Sequence, residues 1–230
     1  DAAHKLTILA STAFGMPLQF DTMHIEGIDT ITKEDIAISR QEGFAIKHLG
    51  IARRSEQGVE LRVQPTLIPL THAFANVNGV LNGVFIQGNA VGEQFLSGRG
   101  AGSEATASAV IADLIEIIHN QQTQYSAPAL GYKVNNLSPL SILPKSAFNA
   151  GYYIHFKYDD NADSQALLAQ LKSLATDQLH TSFKIKLYNE NQRVIIVCEK
   201  TIEESVENLL NSAMLIEGIE ETKLIRIERF

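Results

Sequence analysis

The apolar run Arg193-Val194-Ile195-Ile196-Val197-Cys198 is typical of a strand in the middle of a sheet, buried on both faces. Periodic patterns on either side of it indicate further strands at 152–158, 183–187 and 223–228, and helices at 167–175 and 206–213. Thr201 and Glu204 predict a capping box at the start of the second of these helices. The resulting order, β-α-β-β-α-β, predicts a ferredoxin-like unit over residues 151–230.

The first half of the chain predicts a mixed β-sheet with helices on one face, so that the whole chain is of the α+β class. A helix over 1–14 ends at Gly15, and Thr32 with Asp35 predicts a second helix start. Residues 44–98 have the patterns of several strands. A further helix is expected over 103–119. Residues 1–120 therefore form one predicted region, and the polar, Pro-bearing residues 121–150 a linker.

The composition excludes several classes of protein. The chain has 230 residues and a formal net charge of -7, which argues against nucleic-acid binding. Its single cysteine, Cys198, excludes a disulfide framework and predicts a reducing, cytoplasmic location. No apolar run reaches the roughly 18 residues that a membrane helix needs, so no membrane partner is expected. The seven histidines show no paired ligand spacing, and no metal site is predicted.

The chain opens with Asp1-Ala2-Ala3-His4-Lys5, which has the pattern of a helix interior. This opening favours the C-terminal piece of a longer protein over a mature form trimmed by a few residues.

Asp1 and Lys5 stand four positions apart, and on a helix such residues share a face with about 5–6 Å between their Cβ atoms. One interpretation is a surface ion pair that contributes a few tenths of a kcal/mol. The other is a lysine in a cleft that donates a proton to a developing alkoxide while the carboxylate orients it. Spacing by itself favours the first interpretation and leaves the second open.

The run Gly98-Arg99-Gly100-Ala101-Gly102 lies between a predicted strand and a predicted helix. Free backbone N–H groups and the helix dipole at such a place suit an anion such as a phosphate. The spacing of a dinucleotide-binding fingerprint is absent. A tight packing turn therefore stays the stronger of the two interpretations when the run is taken alone.

Several long stretches together resemble the C-terminal part of homoserine dehydrogenase. The stretches that carry the resemblance are 1–6 with 13–15, 26–28 with Ile31, 47–52, 59–63 with 65–67, 75–80, and 98–102 with 106–107. Residues 152–230 resemble, less closely, the ACT-type module that is appended to the bacterial enzymes.

The resemblance implies an oxidoreductase that interconverts aspartate semialdehyde and homoserine, on the route to threonine and methionine, with NADP or NAD. It implies Lys5 as the proton donor or acceptor at the substrate oxygen, with Asp1 as its partner carboxylate. The cofactor-binding positions that it implies are Gly100, Ala101, Gly102 and Thr106. It further implies that helix 103–119 packs on a nucleotide-binding domain and that the sheet of residues 44–98 forms the interface of a homodimer or higher homo-oligomer.

Two departures from the family pattern limit these expectations. The family's nucleotide-binding domain precedes the matching residues and is missing here, so we expect the chain alone to be inactive. ACT modules place an Asp-x-Pro-Gly-like turn after their first strand, whereas residues 159–163 contain neither Pro nor Gly. This argues against threonine or another amino-acid effector. An amino-acid-sensing fragment without catalysis, and a structural fragment stable only as a dimer, are the alternatives.

Overall fold

The computed structural model describes residues 1–123 and 140–230. Its helices are α1 (Ala2–Phe14), α2 (Lys33–Gln41), α3 (Ser103–Thr123), α4 (Ser164–Leu179) and α5 (Glu203–Ala213). Its strands are β1 (His24–Ile25), β2 (Phe44–Arg54), β3 (Val59–Pro69), β4 (Leu81–Gly88), β5 (Gly92–Arg99), β6 (Asn149–Tyr158), β7 (Phe183–Tyr188), β8 (Arg193–Ile202) and β9 (Ile219–Ile227). None of these helices is long and apolar enough to cross a bilayer.

Strand β3 joins the two halves of the chain into one seven-stranded mixed sheet. Strand β2 pairs antiparallel with β3 along its whole length. The other edge of β3 is shared by β1 and β9, which both run parallel to it. The contact between β3 and β9 is short, with Thr66 opposite Arg226 and Leu67 opposite Ile227. The antiparallel strands β6, β8 and β7 continue the sheet beyond β9.

The C-terminal strands lie in the order β9-β6-β8-β7 and are antiparallel throughout, which confirms the predicted β-α-β-β-α-β arrangement. Helices α4 and α5 cover one face of these strands, where Leu171 and Leu209 are fully buried against Ile154 and Ile196. Cys198 belongs to the same core, and burial raises its pKa to about 11, so it is an unreactive thiol.

Helix α1 packs on the β2–β3 pair. Its residues Leu6 and Ala10 are buried with Leu61 and Val63 of β3. The helix ends, as predicted, at Gly15, whose φ of 63° is in the left-handed region that favours glycine.

Two details of the predicted fold are wrong. Residues 44–98 do not form one sheet, because β4 and β5 pair with each other as a separate two-stranded hairpin. Thr201 does not cap α5: it lies in β8 and donates a hydrogen bond to the Leu179 carbonyl. The predicted placement of the helices of the first half is confirmed, since α1 packs on Leu61 and Val63 and α2 packs on Leu67, which share one face of β3.

The domain boundaries at 120 and 151 stay a prediction. Helix α3 continues to Thr123 and β6 begins at Asn149. Most of the predicted linker lies outside the described residues, but Ile142 forms a bridge with Val59 at the start of β3.

Buried charges hold the short junction between β3 and β9. The Arg226 guanidinium is bonded to the Glu203 carboxylate of α5, and its Nη1 lies 3.0 Å from Glu26 Oε2. Arg62 of β3 is fully buried and pairs with Glu228, which follows β9, and with Glu60 at 2.6 Å. Charges taken out of water stabilise a fold only when they are paired, so these contacts fix how the halves meet.

On the opposite face, the carboxyl of Asp35 is fully buried at the start of α2 and meets basic side chains of three C-terminal strands. Lys223 Nζ lies 2.6 Å from it, and Arg193 Nη1 and His155 Nδ1 lie 3.4 Å away. Asp35 also completes the predicted capping box with Thr32. Burial opposes its ionisation, but the contacts with His155, Lys223 and Thr32 outweigh burial and hold the pKa of Asp35 well below its usual range.

Asp35→Asn should lower the free energy of unfolding by about 3 kcal/mol, because it leaves buried cations without their anion. Urea unfolding followed by circular dichroism measures the change. The matched control is Glu34→Gln, since Glu34 also pairs with Arg193 but is 59% exposed. This variant should lose less than about 1 kcal/mol. Equal losses for the two variants would show that the buried carboxylate is not the anchor of α2.

Glu26 makes stability depend on pH in the acid range. Burial opposes its ionisation, but hydrogen bonds with His24 and Arg226 outweigh burial and lower its pKa from 4.5 to about 2. Its contribution is therefore present above pH 4.5 and is lost as the pH falls towards 2. Glu26→Gln should be less stable at pH 7 and should flatten the stability profile between these limits. Unfolding in urea at a series of pH values tests this prediction. The control is Glu56→Gln, at an exposed turn residue, which should have the same dependence of stability on pH as the unmodified protein.

Candidate active site

The predicted pair of Asp1 and Lys5 exists in the structure. Asp1 is the N-cap of α1, but its side chain caps no backbone N–H and instead binds Lys5, with Oδ2 2.5 Å from Nζ. The side chains are 82% and 59% exposed, respectively. As described, the pair is a solvated ion pair on the surface of α1. To act as an acid or a base, the Asp1–Lys5 pair needs to be covered by an element or a ligand that excludes water from it.

Surroundings of the pair are partly apolar. The His4 ring stacks on Phe20 with 4.5 Å between the ring centroids. Ile8 and Leu9, on the next turn of α1, are each 49% exposed. Large apolar side chains beside an exposed ion pair form a surface on which another element or a ligand can pack.

The glycine loop, residues 98–102, follows the hairpin of β4 and β5 and leads into α3. Gly100 donates a hydrogen bond to the Val80 carbonyl, and a Cβ at this position would lie 1.1 Å from Asn82 Nδ2. Gly102 has a φ of 123°, which L side chains rarely adopt. The loop conformation therefore requires glycine at Gly102 and close packing at Gly100.

Thr106 donates the first hydrogen bond of α3, to the Gly102 carbonyl. Within the described part of the chain, the N–H groups of residues 101–105 have no hydrogen-bond acceptor. Such a row of free donors at the start of a long helix has the chemistry of an anion site. Ala101, Gly102 and Thr106 are thus placed where a phosphate could approach backbone donors.

Lys47 anchors the base of this loop, although spacing in the sequence gave no sign of such a role. From β2, its Nζ donates to the Val77 carbonyl at 2.6 Å and to Asn78 Oδ1 at 2.9 Å. Burial, together with the nearby Arg40, lowers the pKa of Lys47. Val77 and Asn78 lead into β4, and Asn82 of that strand packs against Gly100. Lys47 therefore fixes the open end of the β4–β5 hairpin.

The two parts of the predicted site lie on opposite faces of the β2–β3 pair. Gly50 faces α1, since a Cβ there would lie 3.3 Å from Leu6. Lys47 lies three positions before Gly50 in β2, and side chains alternate between the two faces along a strand. Lys47 therefore points to the other face, towards the hairpin. In the described residues no hydrogen bond or ion pair joins Asp1 and Lys5 to the glycine loop.

Helix α3 leaves its apolar residues exposed. They lie on one broad face of the helix and are each about half exposed: Val110, Ile111, Leu114, Ile115, Ile117 and Ile118. An apolar face of this kind on a helix ordinarily packs against another element. A cavity of about 530 Å³ lies elsewhere, between α2 and residues 187–191, and contains none of the predicted site residues.

Across residues 1–123 and 140–230, no group of three or more His, Cys, Asp or Glu side chains is arranged to hold a metal ion. The predicted site offers an ammonium–carboxylate pair and a set of backbone donors.

Comparison with known sequences indicates the homoserine dehydrogenase family. The profile of the homoserine dehydrogenase family matches residues 1–115. Homoserine dehydrogenase from Pseudomonas aeruginosa is 40% identical over 223 residues, which is 95% of this chain and 51% of that protein. The enzyme of the same name from Neisseria gonorrhoeae is 32% identical over 232 residues, 99% of this chain and 53% of that protein.

Solved structures of homoserine dehydrogenases are also similar to this chain. A homoserine dehydrogenase from Thiobacillus denitrificans is similar over 99% of this chain and 52% of its own, with a TM-score of 0.86 and 38% identity. One from S. aureus has a TM-score of 0.72 and 25% identity, over 100% of this chain and 53% of its own. This chain spans about half the length of the relatives that it matches. With a family match over residues 1–115 of 230, the chain belongs to the homoserine dehydrogenase family.

Proposed function

We propose that the protein of which this chain is part is an NADP- or NAD-dependent oxidoreductase that interconverts aspartate semialdehyde and homoserine, in the cytoplasm and as a homo-oligomer. The observation that carries the proposal is the Asp1–Lys5 pair, at 2.5 Å, inside the region that matches the family. This chain supplies the proton-transfer group and part of the cofactor site. We expect the 230-residue chain to be inactive by itself, because it spans about half of its relatives.

Lys5 supplies the proton in the reducing direction. As the aldehyde carbon of aspartate semialdehyde gains hydride, its oxygen becomes an alkoxide, and the Lys5 ammonium donates a proton to it. In the reverse direction the neutral amine accepts the proton of the homoserine hydroxyl. Asp1, bonded to Nζ, orients the ammonium. Positioning and charge stabilisation at this oxygen supply most of the acceleration.

The glycine loop is suited to hold a dinucleotide phosphate. Free N–H groups at residues 101–105, the N-terminal dipole of α3 and the absence of a side chain at Gly102 allow close approach of an anion. The nicotinamide cofactor, when bound, supplies or accepts the hydride. Gly100, Ala101, Gly102 and Thr106 would contact it, and the exposed apolar side chains of α3 would be covered by the nucleotide-binding part of the protein.

A second function concerns the C-terminal unit. We propose that β6–β9 with α4 and α5 form an ACT-type regulatory module, and the strand order β9-β6-β8-β7 supports this. The turn at 159–163 is closed by Asp159, whose Oδ1 accepts hydrogen bonds from the Asn161 backbone and side chain. An amino-acid sensor without catalysis stays the alternative function.

Lys5→Ala, made in the full-length protein, should lower kcat at least about 100-fold, because general acid–base catalysis contributes 10²–10⁴-fold. Lys5→Arg should also stay low, since a guanidinium keeps the charge but does not give up its proton. Steady-state reduction of aspartate semialdehyde with NADPH measures both.

The matched control is Lys172→Ala, which removes an exposed helical lysine of α4 and should leave kcat unchanged. Near-normal turnover of Lys5→Ala would remove Lys5 from the mechanism. An unmodified full-length protein without reductase activity, whose oligomeric state changes on binding threonine, would instead favour the sensor.

Gly102→Ala should weaken NADPH binding to the full-length protein about tenfold or more, because alanine at a φ of 123° strains or displaces the loop. Gly98→Ala adds the same methyl group to the same loop, where it meets nothing within 4 Å and no positive φ is required. It should bind NADPH normally in a fluorescence titration. Equal affinities of the two variants would contradict the cofactor role of the loop.

A further inference from the structure

We infer that Phe230 is a positioning residue: its ring ties the C-terminal unit to the β4–β5 hairpin and so sets the glycine loop in place for the cofactor. The inference rests on the proposed function of that loop. Phe230 and Lys5 stand at opposite ends of the sequence.

The Phe230 ring enters an aromatic cluster on the hairpin side of the main sheet. It stacks on His72 with 4.3 Å between the ring centroids and meets Phe85 of β4 at 5.0 Å and Phe74 at 5.8 Å. Phe74 in turn meets Phe95 of β5 edge-on at 5.4 Å. The cluster thus contains a residue from each strand of the hairpin, and Phe230 is its member from the C-terminal unit.

The backbone that carries Phe230 is fixed by β3. Glu228 donates its backbone N–H to the Leu67 carbonyl at 2.9 Å, which extends the β3–β9 pairing. Its side chain is buried, bonded to Arg62 and lying 3.0 Å from Arg53 of β2. Arg229 pairs with Glu199 of β8 at 2.8 Å. These bonds hold the backbone that leads to Phe230 against β3 and β8.

The hairpin itself has few other attachments. It is not hydrogen-bonded into the main sheet. Of the polar contacts described for the segment 77–101, those with Lys47 are the ones that come from a main-sheet side chain. Lys47 holds the open end of the hairpin and the aromatic cluster holds its middle, where Phe85 pairs with Phe95.

The glycine loop follows β5 without a break, and Gly83 in β4 shows how closely the hairpin fits the cluster. A Cβ at Gly83 would lie 3.1 Å from the Phe74 ring and 3.2 Å from the Phe95 ring. A shift of these rings would therefore move the strand that sets Asn82 against Gly100. Loss of the Phe230 ring should loosen the loop without touching Lys5 or the core of the C-terminal unit.

The test uses the full-length protein with Phe230→Ala, Phe230→Tyr and a control variant, Met214→Ala, which truncates a side chain of similar exposure (47% against 44%). Phe230→Ala should raise KM for NADPH about tenfold, the equivalent of one or two aromatic contacts, with kcat within about twofold. Phe230→Tyr should restore KM because the ring is kept and its hydroxyl can reach solvent. Hydrogen exchange should speed up over residues 81–99 in Phe230→Ala alone.

An unchanged KM together with unchanged exchange over 81–99 would overturn the inference. So would a loss that Phe230→Tyr does not restore, or one that Met214→Ala reproduces with faster exchange in α4 and α5, since that pattern belongs to general destabilisation. If the unmodified protein fails to bind NADPH, the proposed function and the cofactor role of Phe230 both fail. In that case the exchange data still decide whether the ring holds the hairpin.

Discussion

The structure depends on buried ion pairs at a junction that its backbone hydrogen bonds leave weak. Strands β3 and β9 are paired over two residues on each side, and such a ladder cannot by itself fix the two halves of the chain. Arg62 and Arg226 are fully buried beside it, and each is bonded across the junction, Arg62 to Glu228 and Arg226 to Glu26. Separation of the halves would break both of these ion pairs, and that cost favours this way of joining them.

The hairpin lies beside the main sheet without being part of it. Among the described residues, β2 lies on one edge of β3 and β9 on the other, and β4 and β5 pair with each other. Their remaining attachment is by side chains, through Lys47 and through the rings around Phe230. A segment held in this way moves more easily than a strand inside a sheet. It is also the segment that presents the glycine loop.

Local patterns in the sequence predict much of this fold, and distant contacts account for what they miss. The cap at Thr32 and Asp35, the end of α1 at Gly15 and the succession of strands and helices in the C-terminal unit depend on neighbours in sequence, and the structure has them all. The pairing of β3 with β9 joins residues 160 positions apart, such as Thr66 and Arg226, and no periodicity encodes it. Nor does a local pattern show that β4 and β5 lie outside the main sheet.

At the candidate site, too, the sequence predicts contacts between neighbouring residues and does not predict those between distant ones. The spacing of Asp1 and Lys5 predicts their contact, because both lie on one turn of a helix. Lys47 and Phe230 gave no signal, since a lysine in a strand and an aromatic residue near a chain end are common. Their roles arise from partners that are 30 and more than 140 positions away. The chemistry at Lys5 is in turn not a property of the pair alone: at 59% exposure a lysine and a carboxylate interact weakly, whereas the same pair in a water-excluding cleft interacts several times more strongly. The half-exposed Ile8 and Leu9 on the next turn form the apolar surface on which such a covering can pack.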